Sequence, residues 1–119
     1  MTMPPAQSEL VDRVRAMIAA EPVQRETALF GGWAFMVNEK ILVSAGKEGD
    51  LLVRIAAEDH EQLLEISGAR QAEMGVGRPM GPGWITVSTE HLDDESLELW
   101  ISAALEHNRY PSTAESRSS

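Results

Sequence analysis

The residues of this chain that are best suited to chemistry lie in a loop rich in glycine. Gly75, Gly77 and Arg78 fall within the run 74–83, which also holds two prolines. Glycines let backbone amides approach an anion, and a guanidinium binds it with two hydrogen bonds. The spacing differs from that of a dinucleotide fingerprint or a P-loop. The loop is therefore either a site for a small anion or nucleotide or, the interpretation we favour, a wide connection fixed by its prolines.

The sequence lacks other catalytic or metal-binding patterns. The three histidines, His60, His91 and His107, do not have the spacing that helical metal sites use. Asp94 and Glu95 follow His91, but acidic residues at a predicted helix start are explained by the helix dipole. We therefore expect no catalytic residue, no metal and no cofactor.

The charge balance limits the choice of partner. The 119-residue chain carries 19 acidic and 10 basic residues, a formal net charge of −9. Because Lys and Arg bind the phosphate backbone, this balance disfavours nucleic acid and favours a protein partner. The alternative is a transcriptional co-regulator that contacts DNA through Arg13, Arg15, Arg25 and Lys40.

The sequence also indicates where the protein works. It has no cysteine, which excludes disulfides and thiolate chemistry and fits a reducing cytoplasm. No stretch approaches the roughly 18 apolar residues of a membrane span, and the first residues lack the pattern of a secretory signal. We expect a cytoplasmic protein with no membrane contact.

The apolar pattern predicts an α+β fold in two layers. Leu10, Val14 and Ile18 recur at helical spacing after Ser8, a candidate N-cap. A short helix is predicted over 59–66 and a longer one after Asp93, its N-cap. Short apolar runs separated by turn residues predict an antiparallel sheet of about five to six strands, on which the three helices pack. These runs are 26–30, 33–37, 41–45, 51–55, 69–74 and 84–88.

Alternation along the strands defines two faces of this sheet. The core face is predicted to carry Trp33, Phe35, Val37, Ile41, Val43, Leu51, Val53 and Ile55. The second face is predicted to carry Ala34, Met36, Leu42, Ser44, Leu52 and Arg54. Because the second face is half apolar, we expect a helix or a second copy of the protein to cover it. Its candidate interface for a homodimer consists of Met36, Leu42, Leu52 and Arg54.

The length suits one domain. We place a flexible arm at residues 1–7, the domain at 8–110 and a disordered tail, rich in serine, at 111–119.

Several short motifs, taken in order, resemble the N-terminal domain of the TfoX (Sxy) competence regulators. They are Phe30-Gly31-Gly32, the run from Phe35 to Asn38, Leu51 with Val53-Arg54, Gly68-Ala69-Arg70, Gly77-Arg78-Pro79-Met80 and Trp84. The resemblance extends from about Leu10 to Leu105. Two features depart from the family pattern. Ala28-Leu29 replace a basic residue and methionine, and Glu39 stands where a glycine commonly follows the asparagine.

The resemblance implies a two-layer α+β fold with no known catalysis or cofactor. Full-length members help to activate competence genes alongside the cyclic-AMP receptor protein, and they carry a second, C-terminal domain without a counterpart in this sequence. We therefore expect a stand-alone, non-enzymatic regulatory module that binds protein and forms a homodimer.

Overall fold

The computed structural model describes residues 3–21, 24–29, 32–73 and 77–109. Within them the chain forms a six-stranded antiparallel sheet with three α-helices, which confirms the α+β prediction. The helices are α1 (Pro5–Met17), α2 (His60–Leu64) and α3 (Asp94–Arg109). The strands are β1 (Gln24–Leu29), β2 (Gly32–Val37), β3 (Lys40–Gly46), β4 (Leu51–Arg54), β5 (Ala69–Gln71) and β6 (Trp84–Val87). Predictions on Phe30, Gly31, Gly75 and the tail 111–119 lie outside the described residues.

The sheet is a meander of four strands followed by an exchange of the last two. Its order is β1-β2-β3-β4-β6-β5, so that β6 pairs with β4 and leaves β5 at one edge and β1 at the other. Short 3₁₀ turns at Ala57–Asp59 and Thr89–His91 lead into α2 and towards α3. The short middle helix therefore lies at the β5–β6 end of the sheet, which it contacts.

The hydrophobic core lies between one face of the sheet and helices α1 and α3. Both helices pack on β3, and α3 also packs on β4. Trp100 of α3 and Phe35 of β2 are among the largest side chains that are completely buried. Burial of each such side chain contributes roughly 1.5–3 kcal/mol relative to exposure. No helix of the described residues is long and apolar enough to cross a membrane.

The two long helices begin by different means. Asp93 accepts the backbone N–H of Ser96 at 2.8 Å, which confirms Asp93 as the N-cap of α3. The prediction that Ser8 caps α1 is wrong. The helix begins at Pro5, because proline at the first position already has helical φ and lacks a hydrogen that would need a partner. Its first turn also carries Gln7, so residues 5–7 are helical and do not belong to a flexible arm.

A β-bulge corrects the predicted assignment of faces in β3. Phe35 pairs with Val43 but Met36 pairs with Ile41, so Leu42 is an extra residue on its strand. Strict alternation fails at such a bulge, because one strand advances by a residue relative to its partner. Leu42 therefore belongs to the core, where it is fully buried, and Ile41 lies beside Met36 on the second face.

Candidate functional site

The second face of the sheet is partly covered by the chain itself. Ala34 and Ser44 on this face are buried, with relative exposures of 0% and 2%. Glu73 and Met80 line a cavity of about 130 Å³ together with Ser44 and other residues of this face. Met80 is anchored by a hydrogen bond from its N–H to Ala72 O at 2.9 Å. Glu73 and Met80 therefore lie over part of the face for which we expected a helix or a second copy of the protein as cover.

This covering leaves less of the candidate homodimer interface than we predicted. Leu42 is removed from it by the bulge, while Met36, Leu52 and Arg54 remain half-buried on the second face. Arg54 stacks on Trp84, its direct neighbour across β4 and β6, with the guanidinium carbon 4.8 Å from the ring centroid. Such a cation–π contact stabilises by roughly 0.5–2 kcal/mol. The homodimer itself stays a prediction.

Two glycines beside this face permit close approach of the backbone. A Cβ on Gly32 would lie 2.7 Å from Ala45 O, and one on Gly83 would lie 2.6 Å from the Arg54 guanidinium. Gly83 also has a φ of +94°, a backbone conformation that residues other than glycine rarely adopt. Because any larger residue would displace the backbone here, both positions serve to build the sheet face.

The described part of the glycine-rich loop is exposed around Arg78. Gly77, Arg78 and Pro79 are exposed, and Pro79 forms an isolated bridge with Glu73. This bridge and the Met80 hydrogen bond fit the interpretation that the loop is a structural connection. The anion site that we considered at Gly75, Gly77 and Arg78 stays a prediction.

His60 is a buried side chain whose two ring nitrogens are both engaged. Its Nδ1 accepts the Gly83 N–H at 2.8 Å, so Nε2 carries the hydrogen and donates it to Gln71 Oε1, also at 2.8 Å. The Gln71 amide in turn donates to Gly81 O at 3.0 Å. Because the ring has a structural partner on each side, His60 joins α2 to β5 and to the turn before β6. No group of three potential metal ligands occurs among the described residues.

Three of the four basic residues of the DNA-binding alternative, the arginines, are paired with acidic neighbours. Arg13 binds Asp94, Arg15 binds Glu26, and Arg25 binds Glu39. Because each of these three guanidinium groups has a carboxylate beside it, part of its positive charge is offset. Nucleic-acid contact through these residues and Lys40 stays a prediction.

A groove of about 360 Å³ opens between α2 and α3, away from the second face. Its apolar lining comes from Ile55 and Ala56 after β4, Leu63 of α2 and Ala103 of α3. The polar lining is Glu58, Asp59, Gln62, Glu106 and His107. Three separate elements therefore meet at one concave surface, which the described chain leaves open.

The groove is held in place from both sides. Ile55 N–H donates to Gly83 O at 2.9 Å, and the His60 ring fixes the start of α2 to the same turn. On the other side, buried Trp100, Ile101 and Ala104 anchor α3 to the sheet. A groove between anchored elements is preformed, which lowers the entropy cost of binding.

A comparison with known proteins identifies the family. A family model described as the TfoX N-terminal domain matches residues 18–108, which is most of the chain. The chain belongs to the TfoX N-terminal domain family. No significant match is found among curated proteins or among solved structures.

This TfoX N-terminal domain has one part of its family motifs in the core, as at Phe35, and another part around the second face. Gly32, Arg54, Met80 and Trp84 all lie on it or over it. None of the residues that line the α2–α3 groove belongs to the motifs from which we recognised the family. Helix α1 lies before the matched residues, although its side chains fill part of the core.

The family's asparagine explains the tight turn between β2 and β3. Asn38 and Glu39 both have positive φ, 54° and 65°, as in the type I′ turn that suits a two-residue hairpin. Asn38 also donates from Nδ2 to Asn108 Oδ1 at 3.0 Å, and Asn108 donates to Val37 O at 2.9 Å. The turn is thereby tied to the end of α3. Glu39 occupies a conformation for which the family's glycine is better suited.

Three buried polar residues were missed by sequence reasoning. Gln7 donates to Ala45 O at 2.8 Å, and Gln7, His60 and Asn108 are each only 6% exposed. A signal for them exists in the helical spacing. Gln7 and Asn108 extend the apolar stripes of their helices by one turn, and His60 precedes Leu63 and Leu64 by three and four positions. A polar residue on a buried stripe indicates a structural hydrogen bond in each case.

Proposed function

We propose that this TfoX N-terminal domain is a non-enzymatic regulatory module that acts by docking a protein partner in the α2–α3 groove. Membership of the family supports a regulatory role. We place this role in the regulation of transcription, the process that the resemblance implies. We infer a protein partner because the surface offered to it is concave, open and partly apolar.

The groove itself is the observation that supports this proposal. Its floor combines side chains from three elements, and Leu63 and Ala103 stay half-buried without a neighbour over them in the described chain. Half-exposed apolar side chains in a concave surface are the feature that protein interfaces bury. The second face offers less open surface to a partner, because Glu73 and Met80 already cover part of it.

Site-specific photo-cross-linking in the cells that encode the protein tests the proposal. A photoreactive phenylalanine analogue in place of Gln62, an exposed residue that lines the groove, should yield a cross-linked protein of discrete mass. The same analogue in place of Glu48, an exposed residue of the β3–β4 turn, is the matched control and should yield none. Equal cross-linking from both positions, or none from position 62, would contradict the proposal.

A further inference from the structure

We infer that the α2–α3 groove binds a basic segment of the partner that carries aliphatic side chains flanked by Lys or Arg. This inference rests on the proposed function and specifies its partner. It follows from the apolar stripe along the groove, from the carboxylates at its rim and from the charge of the whole chain.

The apolar part of the surface is longer than the groove alone. Leu99 lies one helical turn before Ala103 on the same face of α3, and it is 46% exposed. It is one of two large hydrophobic side chains in the described residues that are more than about a third exposed, the other being Leu29 of β1. Leu99 and Ala103 thus extend the groove floor along α3, with room for more than one aliphatic side chain of a partner.

The rim of the groove is acidic, and its charges are not balanced locally. Glu58, Asp59 and Glu106 are exposed, and their side chains make no ion pair or hydrogen bond with any other described residue. Some carboxylates in other parts of the described chain have basic partners, as in the pairs Arg70–Asp50 and Arg109–Glu21. At the groove three exposed carboxylates stand together beside an apolar floor, an arrangement that a basic partner with aliphatic side chains would complement.

No Lys or Arg is among the residues that line the groove. The run 55–69 includes Glu58, Asp59, Glu61 and Glu65 but neither Lys nor Arg. The exposed face of α3 adds Glu95, Glu98 and Glu106. A second copy of the chain, with net charge −9, would meet repulsion at this surface, so a basic partner is the occupant that the charges favour.

A binding measurement with a defined probe tests the inference. The probe is a short fluorescent peptide with leucine at every third or fourth position and lysine elsewhere, which forms a basic amphipathic helix. Fluorescence anisotropy of the full chain with this peptide should show saturable binding that weakens as salt rises. A peptide of the same composition, with its leucines spread around the helix, should bind several-fold more weakly, because it cannot place them together on the floor.

Matched variants separate the groove from the net charge. The groove variant combines Glu58→Gln, Asp59→Asn and Glu106→Gln, and the control combines Glu9→Gln, Glu48→Gln and Glu90→Gln. Both change the net charge by the same amount, and all six residues are exposed, so thermal unfolding should change little in either. We expect the groove variant to bind the peptide about tenfold more weakly and the control to remain within about twofold.

Two results would overturn the inference. Equal losses in the two variants would show that the peptide responds only to net charge. Equal affinity for the two leucine arrangements would show that the apolar floor takes no part. With a cross-link from position 62, either result would leave the docking of a protein partner standing. The first would remove the specific role of the rim carboxylates, and the second would remove the role of the aliphatic side chains.

Discussion

The second face of the sheet and the α2–α3 groove differ in what their residues do for the protein. The second face holds residues that are engaged within the chain, such as the Arg54–Trp84 stack and the close packing at Gly32 and Gly83. The groove holds exposed carboxylates without described partners above a half-buried apolar floor. The first region is therefore built for stability, and the second remains available for binding.

This difference indicates that the family motif marks the fold of the domain and not its binding site. Several motif residues that the structure describes, such as Gly32, Asn38 and Trp84, are explained by backbone geometry and packing, so the motif identifies a fold. Binding specificity is then expected at positions outside the motif, such as the groove lining. Changes near the second face should alter stability, and changes in the groove should alter binding with little effect on stability.

The largest effect should come from a methyl group at Gly83. Gly83→Ala places Cβ against the Arg54 guanidinium and Ile55 O in a left-handed conformation, so we expect a loss of about 4 kcal/mol in unfolding free energy. Gly81→Ala is the matched control, because Gly81 has the same φ of +94° but nothing within 4 Å of its Cβ position. It should lose about 1–2 kcal/mol in denaturant unfolding. Equal losses would refute the packing argument.

Removing the His60 ring should cost about 3 kcal/mol. His60→Leu leaves the buried Gly83 N–H and Gln71 Oε1 without their partner. Gln71→Met breaks one of the same hydrogen bonds, so the double variant should lose less than the sum of the two single losses. Strict additivity in a double-mutant cycle would show that the two residues do not act as one network.

The homodimer prediction concerns the part of the second face that remains open to a second copy of the protein. At micromolar concentration, light scattering should give about twice the monomer mass. Met36→Lys places a charge on the part of this face that remains half-exposed and should weaken the dimer about tenfold or more. A monomer at high concentration, or a dimer unaffected by Met36→Lys, would remove the second face as an interface.

A moderate, pH-dependent effect on the unfolding free energy is expected when Glu26 of the edge strand β1 is replaced. The guanidinium of Arg15, with the Trp33 N–H, lowers the pKa of Glu26 below its ordinary value of 4.5. The contribution of ionised Glu26 to the unfolding free energy is therefore complete above pH 4.5. It is lost as pH falls through the lower pKa of Glu26 in the folded state. Glu26→Gln should cost up to about 1 kcal/mol at neutral pH, since solvent screens the pair, and the deficit should vanish in acid. A deficit that is constant with pH would contradict the assignment.

The smallest effect is a gain of stability at the hairpin turn. Glu39→Gly relieves the positive φ of 65° and should raise the unfolding free energy by about 0.5–1 kcal/mol. Glu39→Gln also removes the exposed ion pair with Arg25 but keeps the backbone conformation, so it should change stability by less than about 0.5 kcal/mol. If both variants behave alike, the turn is not strained.

Much of the fold was predictable because it follows from local patterns. The alternating apolar runs gave the strands, and acidic residues at a helix start gave the cap at Asp93. The family match over residues 18–108 confirms the recognition made from short motifs.

The errors arose where tertiary structure overrides a local pattern. Alternation cannot reveal a bulge at Leu42, since its register depends on the partner strand. Pro5 was assigned to an arm because prolines oppose helix interiors, yet the first turn of a helix accepts them. The position of Glu73 and Met80 over the second face and the α2–α3 groove both depend on contacts between distant segments. The acidic run that forms the rim was visible in the sequence, but its position above an apolar floor was not.

The most direct test of the central claim is the mapping of amide chemical shifts by NMR while the basic amphipathic peptide is added. The groove and the second face lie on different parts of the fold, so the two sets of signals can be told apart. The account predicts shifts in residues 55–63 and 99–107, with little change at Met36, Leu52 and Trp84. Shifts concentrated on Met36, Leu52 and Trp84 would contradict it, because the surface open to partners would then be the second face.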